Sequence, residues 1–526
     1  MFIYRLVFFL FAGLSIVLPG IAQDEVRLTV SATGGNGSPV LDLKQSDFSL
    51  LDAGKPRTID GFISPQASVI APQLGTNEYS NACDASQSAT IFVVLDTIHT
   101  RFAEERDMRE MILKFMGRAA QARRGVALAI LSPKGLHLYH DYRTSSEVLL
   151  AALIKAGLGG MKGGTPSPGL SDTEIAAEAA RLTAFSKGDL SNAIPAGQLL
   201  HSSLDMPLAM FQDVGQAVYG LPGRKALVWV TNIIPFDVDS KTFQLLSPKT
   251  SNFGAPVGGA QTGGIQDVLT GDQLRRLMPI WRRSMRTLFD GGAALYPVEA
   301  QSSLTAGSSE FTQTRMRILA QLTGGKAFYG ANDPFPEILQ TSNGNVAGYV
   351  LRFAKDANAT PEFHRLQVTV NKAGSTLNAP EGYFPLEGTV KSHAQDDVSL
   401  ALQSPLAYTG LIFKIRFTGN EDSAGKKKIN MVISLAGDAG VLNEATRTVD
   451  LALVVLAKDA RDTTVGKLNE NEGAQVPPGA VAQIKELGFQ LKRSIEVPAG
   501  DLTMHFVLRD NQNGRMGSLI VPLSVK

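Results

Sequence analysis

Residues Ala89 to Leu95 form a continuous apolar run that stops at Asp96. A strand buried on both faces reads this way, because no position along it is reserved for solvent. From Arg101 to Gln121 the pattern becomes helical. Phe102, Met108, Met111, Ile112, Phe115, Met116 and Ala119 recur at three- and four-residue steps, opposite Glu104, Glu105 and Arg109. A second apolar run, Val126 to Leu131, follows directly. Two such strands joined by a helix make a right-handed parallel unit, the building block of a doubly wound sheet.

The alternation continues along the chain. Leu136 to Tyr142, Ala226 to Thr231 and Ala293 to Pro297 read as strands, and Ser145 to Ala156, Gln273 to Phe289 and Met316 to Leu322 as helices. Thr323-Gly324-Gly325 supplies the stop of the last helix. Gly348 to Phe353 and Arg365 to Val370 alternate and close the domain, which is expected over 88–386 as a mostly parallel, doubly wound, Rossmann-like α/β sheet. Two polar insertions interrupt it, near 162–192 and 239–271. Exposed loops of this kind either carry binding function or are merely tolerated. Ahead of the domain, residues 24–64 read as a small segment of short strands packing on it, and 65–87, rich in Ser, Pro, Asn and Ala, as a linker. Beyond Ser392 helical signals nearly vanish. Val398 to Leu402, Leu411 to Phe417, Ile429 to Leu435, Val449 to Leu456, Ser494 to Val497, Leu502 to Leu508 and Leu519 to Val525 read as strands, so 394–526 is expected to be an immunoglobulin-like antiparallel β-sandwich.

With 526 residues the chain exceeds one ordinary core, and several domains are expected. Fifty basic against 49 acidic residues give a net charge of +1, which offers no general attraction for nucleic acid or anionic lipid. Arg5, the apolar run Leu6 to Leu18, and Gly20 and Ala22 read as a secretory signal peptide over 1–22. That run is shorter than the roughly 20 residues of a spanning helix, and no later stretch is apolar enough to serve as one. The expected protein is exported, to the periplasm, the outer surface or the medium. Cys83 is the only cysteine, which excludes an intrachain disulfide and leaves stability to packed cores.

Several motifs lie in a familiar order: Asp47-Phe48 with Gly54-Lys55-Pro56, Val94-Leu95-Asp96-Thr97-Ile98-His99-Thr100, and Gly223-Arg224-Lys225-Ala226-Leu227-Val228-Trp229-Val230. Leu295-Tyr296-Pro297-Val298, Leu322-Thr323-Gly324-Gly325 and Glu381-Gly382-Tyr383-Phe384 continue it. Over about 26–386 the chain thereby resembles the secreted von Willebrand factor type A-related proteins of Acidobacteria. The resemblance implies a type A-like domain with a metal-ion-dependent adhesion site at the carboxyl ends of its strands, where an open α/β sheet forms a crevice. Such a site surrounds Mg²⁺ with hard oxygen ligands. Asp96 matches the first position and Thr100 can replace one hydroxyl, while Ile98 replaces the other and cannot ligate. Thr165 stands where a second-loop threonine belongs, and Asn232 takes the place of a third-loop aspartate, with Asp237 five residues on. The implied site is degenerate, with one hydroxyl and one anionic oxygen lost. Three readings follow: a weakened Mg²⁺ site, a metal-free binding surface, or an Asp96 that simply ends its strand and caps the next helix.

No catalytic motif emerges. His137 and His140 face opposite sides of a predicted strand, His99 reads as an ordinary loop residue, and the glycines between Gly254 and Gly264 lack a phosphate-loop context. Glu104-Glu105 and Lys426-Lys427-Lys428 read as solvating charge. The expected function is therefore a non-enzymatic adhesion or scaffold protein, with no cofactor and a protein or surface polymer as ligand. The alternatives are a structural component of a cell-envelope assembly and a secreted hydrolase acting through the inserted loops.

Overall fold

A computed structural model describes residues 25–65, 74–82, 90–100, 102–161, 169–190, 204–235, 271–300, 310–330, 333–345, 348–356, 359–386, 390–423 and 425–526. The expected signal peptide, Cys83, Thr165, Asp237 and residues 239–270 of the second insertion lie outside the described residues, whereas 169–190 of the first insertion are described and include a helix over Asp172–Lys187.

The chain opens with β1 (Glu25–Gly34), β2 (Phe48–Asp52), β3 (Lys55–Pro56) and β4 (Gly61–Ile63). Between β2 and β3 the turn takes Ala53 and Gly54 to φ of 49° and 80°, the left-handed pair that suits a two-residue hairpin. Two of these strands find partners more than 300 residues away: β1 pairs antiparallel with the segment from Gly348 to Ala354, and β2 with that from Leu366 to Val370. Val26, Leu28 and Val30 alternate inward onto Tyr349, Leu351 and Phe353, and share a core with Phe48 and Leu50. A further short strand, β5 (Glu78–Ser80), lies in the stretch expected to be a linker, and pairs with a C-terminal strand.

Next come β6 (Ile91–Asp96), β7 (Val126–Ser132), β8 (Gly135–His140), β9 (Lys225–Thr231) and β10 (Ala293–Glu299), joined in the order β10-β9-β6-β7-β8. Helices α1 (Phe102–Gln121), α2 (Ser146–Ala156) and α3 (Asp172–Lys187) pack on Ile91, Val93 and Leu95. On Phe92, Val94 and Trp229 lie α4 (Asp205–Val218), α5 (Gly271–Gly291) and α6 (Glu310–Thr323). The expected solvating face of α1 is partly interior. Glu105 and Arg109 are buried and paired at 3.1 Å, with Arg109 also donating to Phe185 O of α3.

The doubly wound, mostly parallel sheet expected to frame the whole domain is corrected. The mixed sheet is small, with β10-β9-β6-β7 parallel and β8 antiparallel, and the other four sheets are antiparallel throughout. The chain is thus mixed α/β with mostly antiparallel sheets. After α7 (Phe335–Gly344), the strands β11 (Gly348–Ala354) and β12 (His364–Val370) do not extend the mixed sheet. With β13 (Ser375–Asn378) and β14 (Gly382–Tyr383) they complete the two N-terminal sheets, in the orders β13-β1-β11-β4 and β14-β12-β2-β3. Periodicity shows that a strand is covered, but not which strand lies beside it.

The stretch Val398 to Leu402, expected as a strand, belongs to α8 (Ala394–Gln403). Beyond it run β15 (Phe413–Ser423), β16 (Lys426–Leu435), β17 (Thr448–Lys458) and β18 (Thr464–Gln475), then α9 (Pro478–Leu487), β19 (Phe489–Val497), β20 (Gly500–Asp510) and β21 (Met516–Val525). They form two antiparallel sheets, β19-β16-β15-β5 and β18-β17-β20-β21, around one core of Ile415, Ile433, Leu453, Val455, Met504 and Val521. Among the described residues no helix is long and apolar enough to cross a membrane.

The N-terminal sheets are fastened to the mixed sheet by Arg224, just before β9. Its guanidinium is buried and donates to Thr29 O and Asn378 O at 3.2 and 3.3 Å, and to Thr323 O and Gly324 O at 2.7 and 3.2 Å. One rigid fork thus joins β1, the end of β13 and the carboxyl terminus of α6. Gly324 turns there at φ +71°, and a Cβ at that position would stand 2.7 Å from Arg224 Nη2. The Gly-Arg-Lys and Thr-Gly-Gly motifs of the sequence are two halves of this junction.

Candidate functional site

Because β6, β7, β9 and β10 are parallel, they deliver Asp96, Ser132, Thr231 and Glu299 to one edge of the sheet. The side-chain period of two puts Asp96 on the same face as Phe92 and Val94, and Thr231 on the same face as Trp229 in the neighbouring strand. Asp96 is fully buried. Its Oδ1 accepts from the backbone N–H groups of Ile98 at 3.0 Å and His99 at 3.2 Å, a tight turn that starts the loop toward α1. Its Oδ2 meets His99 Nδ1 at 2.8 Å, Thr231 Oγ1 at 3.1 Å and Trp229 Nε1 at 3.2 Å. The Trp229 indole is held in place by Phe211 of α4, edge to face at 5.3 Å.

Of the four residues expected to ligate a cation, Asp96, Thr100 and Asn232 lie on the two loops at this edge, and Thr165 lies outside the described residues. Asp96 bonds to His99, Trp229 and Thr231, none of which had been assigned to the site. Among the described residues Thr100 Oγ1 is buried without a hydrogen-bond partner, and Ile98 turns its side chain into the core. This donor set does not fit Mg²⁺. A hard cation needs carboxylate lone pairs, and those of Asp96 already face N–H and O–H groups. Among the described residues no group of three or more His, Cys, Asp or Glu side chains could hold a metal.

Replacing Trp229 with Phe keeps the ring against Phe211 and removes one donor from a buried carboxylate. The expected loss is about 1.5–3 kcal/mol in urea unfolding, with little change in the denaturant slope.

His137 and His140 serve separate partners. His137 Nε2 lies 2.9 Å from Ser132 Oγ, which also accepts from Lys134 N, so this Ser–His contact closes the β7–β8 turn. Both side chains are buried, and burial followed by the Lys134 charge pushes the His137 imidazole below its ordinary range. His140 Nδ1 is 2.6 Å from Glu178 Oε1 of α3, and Arg181 closes the same carboxylate from the other side. Although desolvation opposes its charge, these partners hold Glu178 below the usual carboxylate range. Glu299 Oε2 accepts from Gly330 N at 3.1 Å.

No protein-family model matches the chain, and no curated protein matches it.

Proposed function

We propose that this chain is an exported, non-enzymatic binding or scaffold protein that docks a protein or surface polymer without a bridging cation. The reading rests on Asp96. The acidic group best placed for a cation at the sheet edge is occupied by internal donors, so loop side chains there must make the contact with a partner. Tyr329 supports it. This side chain is 41% exposed, next to the bridge between Phe328 and the end of β10, and offers an amphipathic ring of the kind enriched at interfaces. The motif resemblance to secreted type A-related proteins points to the same class of function.

The test is binding of labelled full-length protein to isolated envelopes of the source cells, with and without EDTA. Saturable binding that unlabelled protein displaces and EDTA leaves unchanged is the expected result. Non-saturable adsorption would count against docking, and loss in EDTA against a metal-free contact. In calorimetry, Mg²⁺ and Mn²⁺ are expected to give no saturable heat with the full chain. A saturable isotherm abolished in Asp96→Asn would restore the cation site.

A further inference from the structure

The mixed sheet and the C-terminal sheets meet along a seam made by α4, α8 and the connector Ser404–Leu411. Tyr408 is the centre of it. Its backbone is stitched to β21, with its N–H donating to Ser518 Oγ at 2.9 Å and its carbonyl accepting from Ser518 N at 3.1 Å. Its hydroxyl crosses the seam and donates to Asp213 Oδ1 of α4. Thr409, next in sequence, caps the end of α4 by donating to Ala217 O at 2.7 Å and accepting from Gly220 N at 2.8 Å.

Two carboxylates lie in this seam, with opposite surroundings. Asp397 of α8 accepts from Arg283 of α5 and from Arg509 of β20, the latter through Nη2 at 2.8 Å and Nε at 3.0 Å, so its charge is matched twice. Asp213 is 3% exposed and, among the described residues, has no ion-pair partner. Its hydrogen bonds come from Tyr408 and Ser404.

The elements packed on α4 are α5, α8, β7, β8 and β10. Of their charged and titratable groups, Arg283 of α5 pairs with Asp397 of α8, Arg286 of α5 with Asp290, His137 and His140 of β8 with Ser132 and Glu178, Tyr139 of β8 donates to Asp189 O, and Glu299 of β10 accepts from Gly330 N. Arg276 and Arg282 of α5, Asp396 of α8 and Tyr296 of β10 also lie on these elements, and none of them makes an ion pair or hydrogen bond with Asp213 among the described residues. A carboxylate buried this way without a cation is costly when ionised and acceptable when neutral.

We infer that the seam is a protonation-gated latch, closed while the buried Asp213 carboxyl is neutral and bonded to Tyr408, and loosened when it ionises. Burial pushes Asp213 up to about 7, against the downward pull of its bonds from Tyr408 and Ser404. A group raised above its unfolded value stabilises the fold below that value, and this contribution fades as pH rises through the folded value. The latch therefore weakens as pH rises from about 4 to about 7 and changes little above that, whereas the Asp397 anchor persists.

The test is hydrogen exchange of the full chain, followed by mass spectrometry on peptides spanning 404–411. After correction for intrinsic rates, protection is expected to fall on the order of tenfold per pH unit between about pH 5 and 7, as one coupled proton requires, and to level off above about 7. Asp213→Asn, neutral at every pH, is expected to remove this slope. Tyr408→Phe removes a bond that favours the ionised form and should move the levelling-off to higher pH, which a merely structural role would not do. Protection that stays constant between about pH 5 and 7 in the wild type would overturn the latch, as would a wild-type slope in Asp213→Asn or an unmoved levelling-off in Tyr408→Phe.

Discussion

Arg224→Ala is expected to lower the free energy of unfolding by about 3–5 kcal/mol, a large fraction of what typically holds a domain together. The side chain is 1% exposed and satisfies four backbone carbonyls from three separate segments. Alanine would leave those oxygens in a buried seam without donors, and each uncompensated group costs about 1–3 kcal/mol unless water enters. Two of the carbonyls, at Thr323 and Gly324, end α6, where the helix dipole places negative charge and favours a cation. Burial pulls the guanidinium down to about 10, so it stays charged at neutral pH. Arg224→Lys should recover only part of the loss, because a point charge cannot span both pairs of oxygens. Urea unfolding at neutral pH measures both variants. A change below about 1 kcal/mol for alanine would mean that water replaces the fork and that the junction is not held by this residue.

The strands most legible in the sequence are those whose burial is complete. Residues 91–95, 126–131 and 226–231 are apolar because both faces of the mixed sheet are covered, and any one-residue change of register would bury the same kind of side chain. That feature hides the neighbour of each strand. Residues 348–353 alternate, and alternation is also what a half-covered antiparallel strand shows, so their pairing with β1 could not be told from an extension of the central sheet. The helix over Ala394–Gln403 was hidden for another reason. Its inward positions include Asp397, a charge acceptable there because Arg283 and Arg509 enclose it. Polar residues that become interior through distant partners carry no local signature.

The same holds at the candidate site. Asp96 stood out as the abrupt end of an apolar run. Its partners did not, although two of them carried a readable sign: Trp229 and Thr231 are two apart on a strand and therefore share a face. What the sequence lacks is that this face adjoins Asp96. Without the pairing of β6 with β9, His99 is one loop histidine among the seven of the chain.

Asp96→Ala separates a ligand-holding carboxylate from an internal one, and a loss of about 3–4 kcal/mol is expected. A carboxylate that holds a cation keeps lone pairs open and is a burden to the metal-free fold, so its removal costs little stability. Asp96 instead terminates donors from the loop that follows it and from the neighbouring strand β9. Its removal strands the Trp229 indole N–H and the backbone N–H groups of Ile98 and His99, and deprives Thr231 of an acceptor. Asp96→Asn should be milder, since its oxygen can still accept from Ile98 and His99, but its amide N–H groups would face the Trp229 donor and cannot satisfy it. Chemical unfolding with tryptophan fluorescence reads both effects, because Trp229 reports on the site directly. A wild-type midpoint for Asp96→Ala would place the carboxylate outside the folding core and return it to the role of a ligand. A large loss, shared in part by Trp229→Phe, would establish that the carboxyl edge is built as a closed hydrogen-bonded plug whose carboxylate is committed to the fold.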